Sequence, residues 1–251
     1  QIDDNPPWVR HFEARSDFMK IFDVDVGDVS GGWVARLAET YEAYLAILGG
    51  YPELQRVVKV VLPDLQGPLD NLDLIRGSEV YADLYVDSRM VQEALELMVA
   101  AQVGLAGYFS KFVSDGPEGF THQHGVMNRG SILIRNDSSI MISPEMYREQ
   151  VAPFDSRVFV ELGGGGMHSC GRFQHLVDEY LDLDSILAVD FGQSDMNDVE
   201  DIYRKASAVN IPLLRIFVAA EELISGSIIE KYPTGVSLIY QSPSIKDARS
   251  V

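Results

Sequence analysis

The chain has 251 residues, 46% of them hydrophobic, which suits one large globular domain or a single α/β barrel without an apolar run that could span a membrane. Its formal net charge is −18, from 38 acidic and 20 basic residues, and such a surface repels nucleic acid and anionic lipid. The single cysteine excludes an intrachain disulfide and favours a reducing, cytoplasmic location.

The first half of the chain reads as mostly helical. Residues 1–32 form an irregular N-terminal extension that lacks the basic and then apolar pattern of a secretory leader. The apolar spacing then predicts a helix over 33–48, a buried strand over 57–62, and helices over 68–86 and 88–112. The last of these is apolar on more than one side, which indicates deep packing or a subunit interface.

The second half alternates strands with helices, which is typical of parallel β/α units. Besides the glycine-rich segment discussed below, the predicted strands are 131–134, 186–190, 213–218 and 236–240. One predicted helix begins at Ser143, and three others cover 174–180, 199–208 and 221–231. Together with the glycine-rich segment and 57–62 these strands make about six, so an eight-stranded barrel needs two more, from the first 50 residues or from 120–124.

The most informative segment is a run of four glycines, Gly163–Gly166, followed by His168 and the only cysteine, Cys170. In an extended strand residues i and i+2 point to the same face, so the imidazole and the thiolate can converge on one point. Such a pair supplies two of the three protein ligands that a catalytic zinc usually takes. The alternative is a buried free cysteine beside a hydrogen-bonded histidine.

A third metal ligand has two sources in the sequence. Asp190 ends the next predicted strand, where the carboxylates of a barrel face the site. His122 and His124 form another i, i+2 pair, and they are also candidates for substrate binding. The alternatives are a helix cap or a hydrogen-bonded strand end for Asp190, and a polar loop for the two histidines.

Four further polar residues follow predicted strands. Asp137 and Ser139 lie between a strand and a helix N-cap, and they are candidate catalytic residues, although the segment also reads as a turn. Asp64 and Asp70 flank Gly67 and Pro68, where paired carboxylates bind a cationic or polyhydroxy substrate or serve as acid and base. Both are equally consistent with solvated loop acids.

Two arginines are expected to face carboxylates or the mouth of the site. Arg215 lies inside an apolar strand and Arg135 ends another, so each needs a carboxylate partner or access to the mouth. Either guanidinium can hold a substrate carboxylate through its bidentate fork. Arg215 is therefore a candidate catalytic residue, and Arg135 is a candidate for substrate binding.

Several segments together resemble the uroporphyrinogen decarboxylase superfamily, within residues 57–245. In that family's order they are Leu65–Leu69, Asp137–Tyr147 with Pro153 following, Gly166–Gly171 and Leu183–Asp190. The resemblance implies a (β/α)₈ TIM barrel, as a single domain over 1–251, with the site at the carboxyl ends of the strands. The superfamily contains the cofactor-free decarboxylase of haem synthesis. It also contains zinc-dependent methyltransferases that move a methyl group between a corrinoid protein and a thiol, and related methionine synthases with an acidic ligand comparable to Asp190.

The chain is more similar to the methyltransferase branch than to the decarboxylase. His168 and Cys170 match the His-x-Cys pair of the methyltransferases, whereas their second cysteine has no counterpart in this chain. The arginine-rich motif of the decarboxylase is absent before Trp33, its tyrosine appears as Leu74, and its histidine falls close to Val236.

The resemblance implies a zinc-assisted transfer of a methyl group to or from a thiol or a corrinoid. The implied partners are a small-molecule substrate, a corrinoid protein and a second copy of the chain. One alternative is a metal-free lyase that acts on a carboxylated substrate through Asp137, Arg135 and Arg215. Another is a barrel that binds a small molecule or a protein without catalysis.

Overall fold

The structure of the protein is a computed structural model, and it describes residues 9–113 and 119–249. Residues 1–8, the first part of the predicted extension, lie outside the described residues. The rest of that extension contains a short helix, α1 (Arg15–Phe18), and a 3-10 helix, Met19–Asp23. Phe18 is fully buried, and its ring packs edge-on against the rings of Phe12 and Phe22. This segment is therefore attached to the main core.

The helices follow the predicted spacing closely. They are α2 (Gly32–Gly49), α3 (Pro52–Gln55), α4 (Pro68–Arg76), α5 (Glu79–Val86), α6 (Ser88–Ser110), α7 (Pro144–Gln150), α8 (Ala152–Leu162), α9 (Val177–Leu181), α10 (Val199–Ala208), α11 (Ala220–Ser225), α12 (Ser227–Lys231) and α13 (Ile245–Ala248). Two predicted helices are each split by a glycine with positive φ, Gly77 and Gly226. None of the helices in the described ranges combines the length and the apolar composition that a bilayer crossing requires.

A five-stranded parallel sheet forms the centre of the mixed α/β fold. The strands are β1 (Phe120–Gln123), β2 (Val126–Arg129), β3 (Ile132–Arg135), β4 (Gly165–Ser169), β5 (Ile186–Phe191), β6 (Leu213–Phe217) and β7 (Val236–Ile239). The sheet has the order β3-β4-β5-β6-β7, and β1 pairs with β2 as a separate antiparallel hairpin. Among the described residues no ladder joins β7 back to β3, so the implied barrel is represented by an open parallel sheet.

The two faces of the sheet have different coverings. On one face, Ile132, Ile134, Met167 and Val189 contribute to the main core together with residues of the helices, and we call this the helix face. The opposite face carries Leu133, Ala188 and Leu214, which form a separate cluster with Val126 of β2. We call this the hairpin face, because the β1–β2 hairpin lies on it.

The hairpin has a two-residue turn formed by His124 and Gly125. Their φ angles are +51° and +77°, as a type I′ turn requires. Gly166 of β4 lies under the hairpin, and a Cβ there would come within 2.6 Å of Leu133 and 3.3 Å of Asn128 Oδ1. The absence of a side chain at Gly166 therefore allows β2 to approach the sheet.

The predicted buried strand over 57–62 is wrong. The segment forms no ladder, and Val57 and Val58 are 75% and 42% exposed. Val60 and Leu62 are buried, but against α2 and α6, in a cluster that includes Tyr41 and Phe109. The nearest sheet contact is a single parallel bridge between Gln66 and Arg135, beyond the predicted segment.

Candidate metal centre

A row of polar residues crosses the hairpin face at the carboxyl end of the sheet. The strand register pairs Arg135 of β3 with His168 of β4, and His168 with Asp190 of β5. Arg135 and Asp190 each lie two residues beyond an apolar residue of the hairpin face, Leu133 and Ala188, so the pleat directs them to the same face. The register thus brings together three residues that are far apart in the sequence.

Arg215 reaches this row because β6 is irregular. The register of β6 against β7 shifts between Leu213 and Ile216, and Arg215 has a left-handed φ of +61°. Such a bulge lets two neighbouring side chains reach the same side of a strand. Leu214 joins the apolar cluster of the hairpin face, and Arg215 pairs with Asp190.

His168 is held on one side by an ion pair. Its Nδ1 lies 2.7 Å from Oδ2 of Asp190, which is fully buried, and Nε of Arg215 donates to Oδ1 of the same carboxylate at 2.6 Å. Nη2 of Arg215 contacts Asp190 Oδ2 and also lies 2.7 Å from Nδ1 of His168. A guanidinium can only donate, and the carboxylate is the stronger acceptor for its hydrogens. We therefore assign the imidazole proton to Nδ1, which leaves the Nε2 lone pair free for a ligand.

Three ligand atoms converge on the other side of the ring. Nε2 of His168 lies 3.4 Å from Sγ of Cys170 and 3.9 Å from Oδ1 of Asp137, and the ligand atoms of the three residues all lie within 4.8 Å of one another. Tetrahedral zinc with bonds of about 2.0–2.3 Å separates its ligand atoms by about 3.3–3.8 Å. The donor set and its spacing therefore fit a zinc ion after small shifts of the side chains.

The backbone of the loop that carries Asp137 is held by a buried acid. Asp70, in the first turn of α4, accepts hydrogen bonds from the backbone N–H groups of Asp137 at 2.9 Å and Ser138 at 2.7 Å. Burial raises the pKa of Asp70 to about 6, against the opposing effect of these two hydrogen bonds. The side chain of Asp137 is held as well, because its Oδ1 accepts a hydrogen bond from the backbone N–H of Cys170 at 2.7 Å.

The mouth of the site contains Asp64, Arg135 and His124. Arg135 Nη1 donates to Asp64 Oδ2 at 2.9 Å, and Nη2 donates to Asp137 Oδ2 at 3.2 Å. The ring of His124 stacks on that of His168, with centroids 5.5 Å apart. His124 Nε2 lies 3.2 Å from Asp64 Oδ1 but lacks the alignment of a regular hydrogen bond. The pKa of Asp64 is lowered, mainly by its polar contact with His124, whose effect together with Arg135 outweighs that of burial.

The surroundings of Cys170 keep its thiol protonated. Burial raises the pKa of this thiol, the negative charge of Asp137 raises it further, and Arg135 opposes both effects only in part. A thiol with a raised pKa is a weak nucleophile at neutral pH. Cys170 therefore lacks the environment of a cysteine that reacts without help.

The absence of a side chain at Gly192 leaves room for Cys170. A Cβ at this position would lie 2.7 Å from Cys170 Sγ and 2.9 Å from its Cα, closer than such atoms can approach. This glycine was not among the predicted site residues, although a glycine directly after the end of a buried strand is a recognisable signal.

The other predicted residues do not belong to the group of three ligand atoms. Ser139 is fully buried, and its Oγ donates to Asn136 Oδ1 instead of facing the mouth. His122 is in β1 opposite Met127, whereas His124 lies past the end of that strand, so the two histidines do not share a strand face. Asp70 is 2% exposed beneath the loop, whereas Asp64 is half-exposed at the mouth.

Comparisons with known proteins bear on the fold. No protein-family model matches the chain, and no curated protein matches it. The structure is similar to that of a methyltransferase from Methanosarcina mazei, with a TM-score of 0.53 at 11% sequence identity. The match covers 70% of this chain and 50% of the methyltransferase, so the chain spans about half the length of that protein. This similarity shows a shared fold.

Proposed function

We propose that the protein is a zinc-assisted methyltransferase-like enzyme, in which His168, Cys170 and Asp137 hold the metal. The observation that carries the proposal is the convergence of Nε2, Sγ and Oδ1 within 4.8 Å of one another. Three protein ligands of mixed nitrogen, sulfur and oxygen type, with a fourth position left for substrate, are typical of catalytic zinc sites. The proposal replaces Asp190, the ligand expected from the sequence, with Asp137.

Each residue has a role that follows from its contacts. Asp190 and Arg215 hold the His168 ring and keep its proton on Nδ1, so that Nε2 points at the ligand group. Asp137 contributes a carboxylate in the place of the second cysteine of the methyltransferase branch. Zinc, when bound there, would favour the thiolate form of a coordinated thiol and hold it for attack on a methyl donor.

The balanced reaction moves a methyl group from a corrinoid to a thiol. The C–S bond forms as the Co–C bond breaks, the thiol proton passes to solvent, and both electrons of the Co–C bond remain on cobalt, which leaves cob(I)alamin. A reducing compartment such as the cytoplasm is part of the proposal, because oxidised Cys170 cannot act as a ligand. The (β/α)₈ barrel implied by the resemblance is also part of the proposal, with the five parallel strands as a portion of it and the site at the carboxyl ends of the strands.

Two further observations support this function. The neighbour from Methanosarcina mazei is described as a methyltransferase, and the His-x-Cys segment resembles that of the zinc methyltransferases. The metal-free lyase is less consistent with the contacts, because Arg135 and Arg215 already pair with Asp64, Asp137 and Asp190. A substrate carboxylate would have to displace these internal partners.

Metal analysis of the protein purified under reducing, chelator-free conditions tests the proposal. We expect one zinc per chain, lost in His168→Ala and in Cys170→Ser. His175→Ala is the matched control, because His175 contacts the backbone of Ile142 and lies outside the ligand group. The loaded protein should convert methylcobalamin to cob(I)alamin with a small thiol, whereas Cys170→Ser should not. Failure of the folded wild-type protein to bind zinc would refute the proposal.

A further inference from the structure

Asp70 is a buried acid, and both of its carboxylate oxygens accept hydrogen bonds from within the protein. It is 2% exposed, on the first turn of α4, where the N-terminal end of the helix favours a negative charge. One oxygen accepts from the backbone N–H of Asp137 and the other from that of Ser138, at 2.9 and 2.7 Å. A carboxylate that bridges two consecutive amides restricts the orientation of the peptide unit between them.

This contact lies directly beneath the ligand group. The residue whose backbone Asp70 holds is Asp137, whose side chain lies 3.9 Å from Nε2 of His168. The same side chain accepts from the backbone N–H of Cys170 at 2.7 Å. Asp70 therefore connects α4 to two of the three ligand-bearing residues, although it contacts none of the ligand atoms.

We propose that Asp70 is a positioning residue that fixes Asp137 as the third metal ligand. This inference rests on the proposed function, because it assigns a role toward the same metal. It differs from the sequence expectation, in which Asp70 binds substrate at the mouth. The carboxylate acts by accepting two amide hydrogens, so the isosteric change Asp70→Asn removes one acceptor and places an NH₂ group against a backbone N–H. The loop must then rotate to separate the two donors.

Asp73 provides a matched control one turn later in the same helix. Its Oδ2 accepts from Ser138 Oγ at 2.8 Å and from Tyr81 OH at 3.1 Å. Asp73→Asn thus removes the same charge from the same helix. It also alters a contact to the same loop, but that contact is to the side-chain hydroxyl of Ser138 and not to a backbone N–H. It leaves the two backbone hydrogen bonds of Asp70 in place.

The experiment compares zinc affinity and the cobalt(II) spectrum of the full chain in the wild type, Asp70→Asn and Asp73→Asn. Zinc affinity is measured by competition with a chromophoric chelator, at a temperature where each variant is folded by circular dichroism. We expect zinc affinity to fall about 10- to 100-fold in Asp70→Asn, as for other partners that orient metal ligands, and by less than about twofold in Asp73→Asn. The visible bands of bound cobalt should shift in Asp70→Asn, because one oxygen ligand is displaced, whereas the thiolate-to-cobalt band should remain.

The outcomes separate this inference from the proposed function. If the wild type binds neither metal, the proposed function fails and the role of Asp70 fails with it. If the wild type binds zinc and Asp70→Asn has the same affinity and the same cobalt spectrum, only the positioning role is refuted. Equal losses in Asp70→Asn and Asp73→Asn would also refute it, because the effect would then reflect general loosening of the loop.

Discussion

Asp190 contacts His168 at Nδ1, the ring nitrogen opposite the one that faces Cys170. The two residues are Cα partners across β4 and β5, so the contact is built into the register of the sheet. Because the carboxylate holds the proton on Nδ1, the other nitrogen is left as an acceptor or a ligand. The tautomer of His168 thus depends on a residue that does not itself reach the ligand group.

Replacing Asp190 with Asn should weaken zinc binding about 10- to 100-fold. The amide can donate to Nδ1, and Arg215 Nη2 at 2.7 Å can do the same, so the proton would move to Nε2 and block the ligand. Zinc affinity, measured by chelator competition, checks this, with thermal unfolding recorded in parallel. A variant that is less stable yet binds zinc as the wild type does would limit Asp190 to a structural role.

The reactivity of Cys170 should increase when Asp137 becomes Asn. The negative charge of Asp137 helps to raise the pKa of the thiol, so its removal lowers that pKa and increases the thiolate fraction. Burial, the largest cause of the raised pKa, remains in the variant. We expect the pH midpoint of iodoacetamide alkylation in metal-free protein to shift downward, with several-fold faster alkylation at pH 8. An unchanged or higher midpoint would contradict this.

Gly192→Ala should displace Cys170 and abolish stoichiometric zinc binding. The added methyl group would lie 2.7 Å from Sγ and 2.9 Å from the Cα of Cys170, and backbone at that distance has to move. We expect a loss of about 1–3 kcal/mol in the free energy of unfolding, as for other overpacked sites. Gly107→Ala makes the same chemical change in α6, where the new methyl group meets nothing within 4 Å beyond its chain neighbours and the backbone of its own helix, and should retain zinc. The idea fails if both variants bind zinc equally.

The stability of the protein should fall as the pH rises from about 4 to 7, partly because of Asp155. Burial raises the pKa of this fully buried carboxyl from 3.8 to about 7, against opposing hydrogen bonds from Tyr147 and Asn136. The folded state therefore binds more protons than the unfolded chain between these values, and stability is lost as the carboxyl ionises. Over that range the loss amounts to up to about 4 kcal/mol.

The variant Asp155→Asn removes this titration and keeps a similar shape. The free energies of unfolding of the variant and the wild type are measured in urea at pH 5 and pH 8. The variant should be more stable relative to the wild type at pH 8 than at pH 5. A difference between the two proteins that is the same at both pH values would show that Asp155 is ionised in the folded protein throughout.

The helices and most parallel strands could be predicted from the sequence because their signals are local. Apolar spacing and capping residues mark each element, and Ser143 accepts from Met146 N–H as the expected N-cap. The segment 57–62 misled the prediction, because a run of β-branched residues indicates an extended, partly buried chain whether or not a strand lies beside it. Here α2 covers one side, and Tyr41 OH donates to the carbonyl of Val61.

The sequence offered 120–124 as a possible strand but did not predict the hairpin, since its buried positions are mostly polar and two exposed positions are apolar. Buried Thr121, Gln123 and Asn128 face the sheet, and the turn residues His124-Gly125 are not among the common type I′ pairs. The polar residues that approach one another at the site were mostly recognised from the sequence. Which of them reaches which atom depends on register and on the bulge at Arg215, and neither feature leaves a local signal.

Arg135, His168 and Asp190 are aligned across three strands, so metal binding at the candidate site depends on the correct strand register. A slip of β4 by a single residue would turn the imidazole toward the helices and disperse the whole cluster at once. Cobalt added during refolding should therefore develop its colour only when the strands have locked into their native alignment, in step with the last stage of folding.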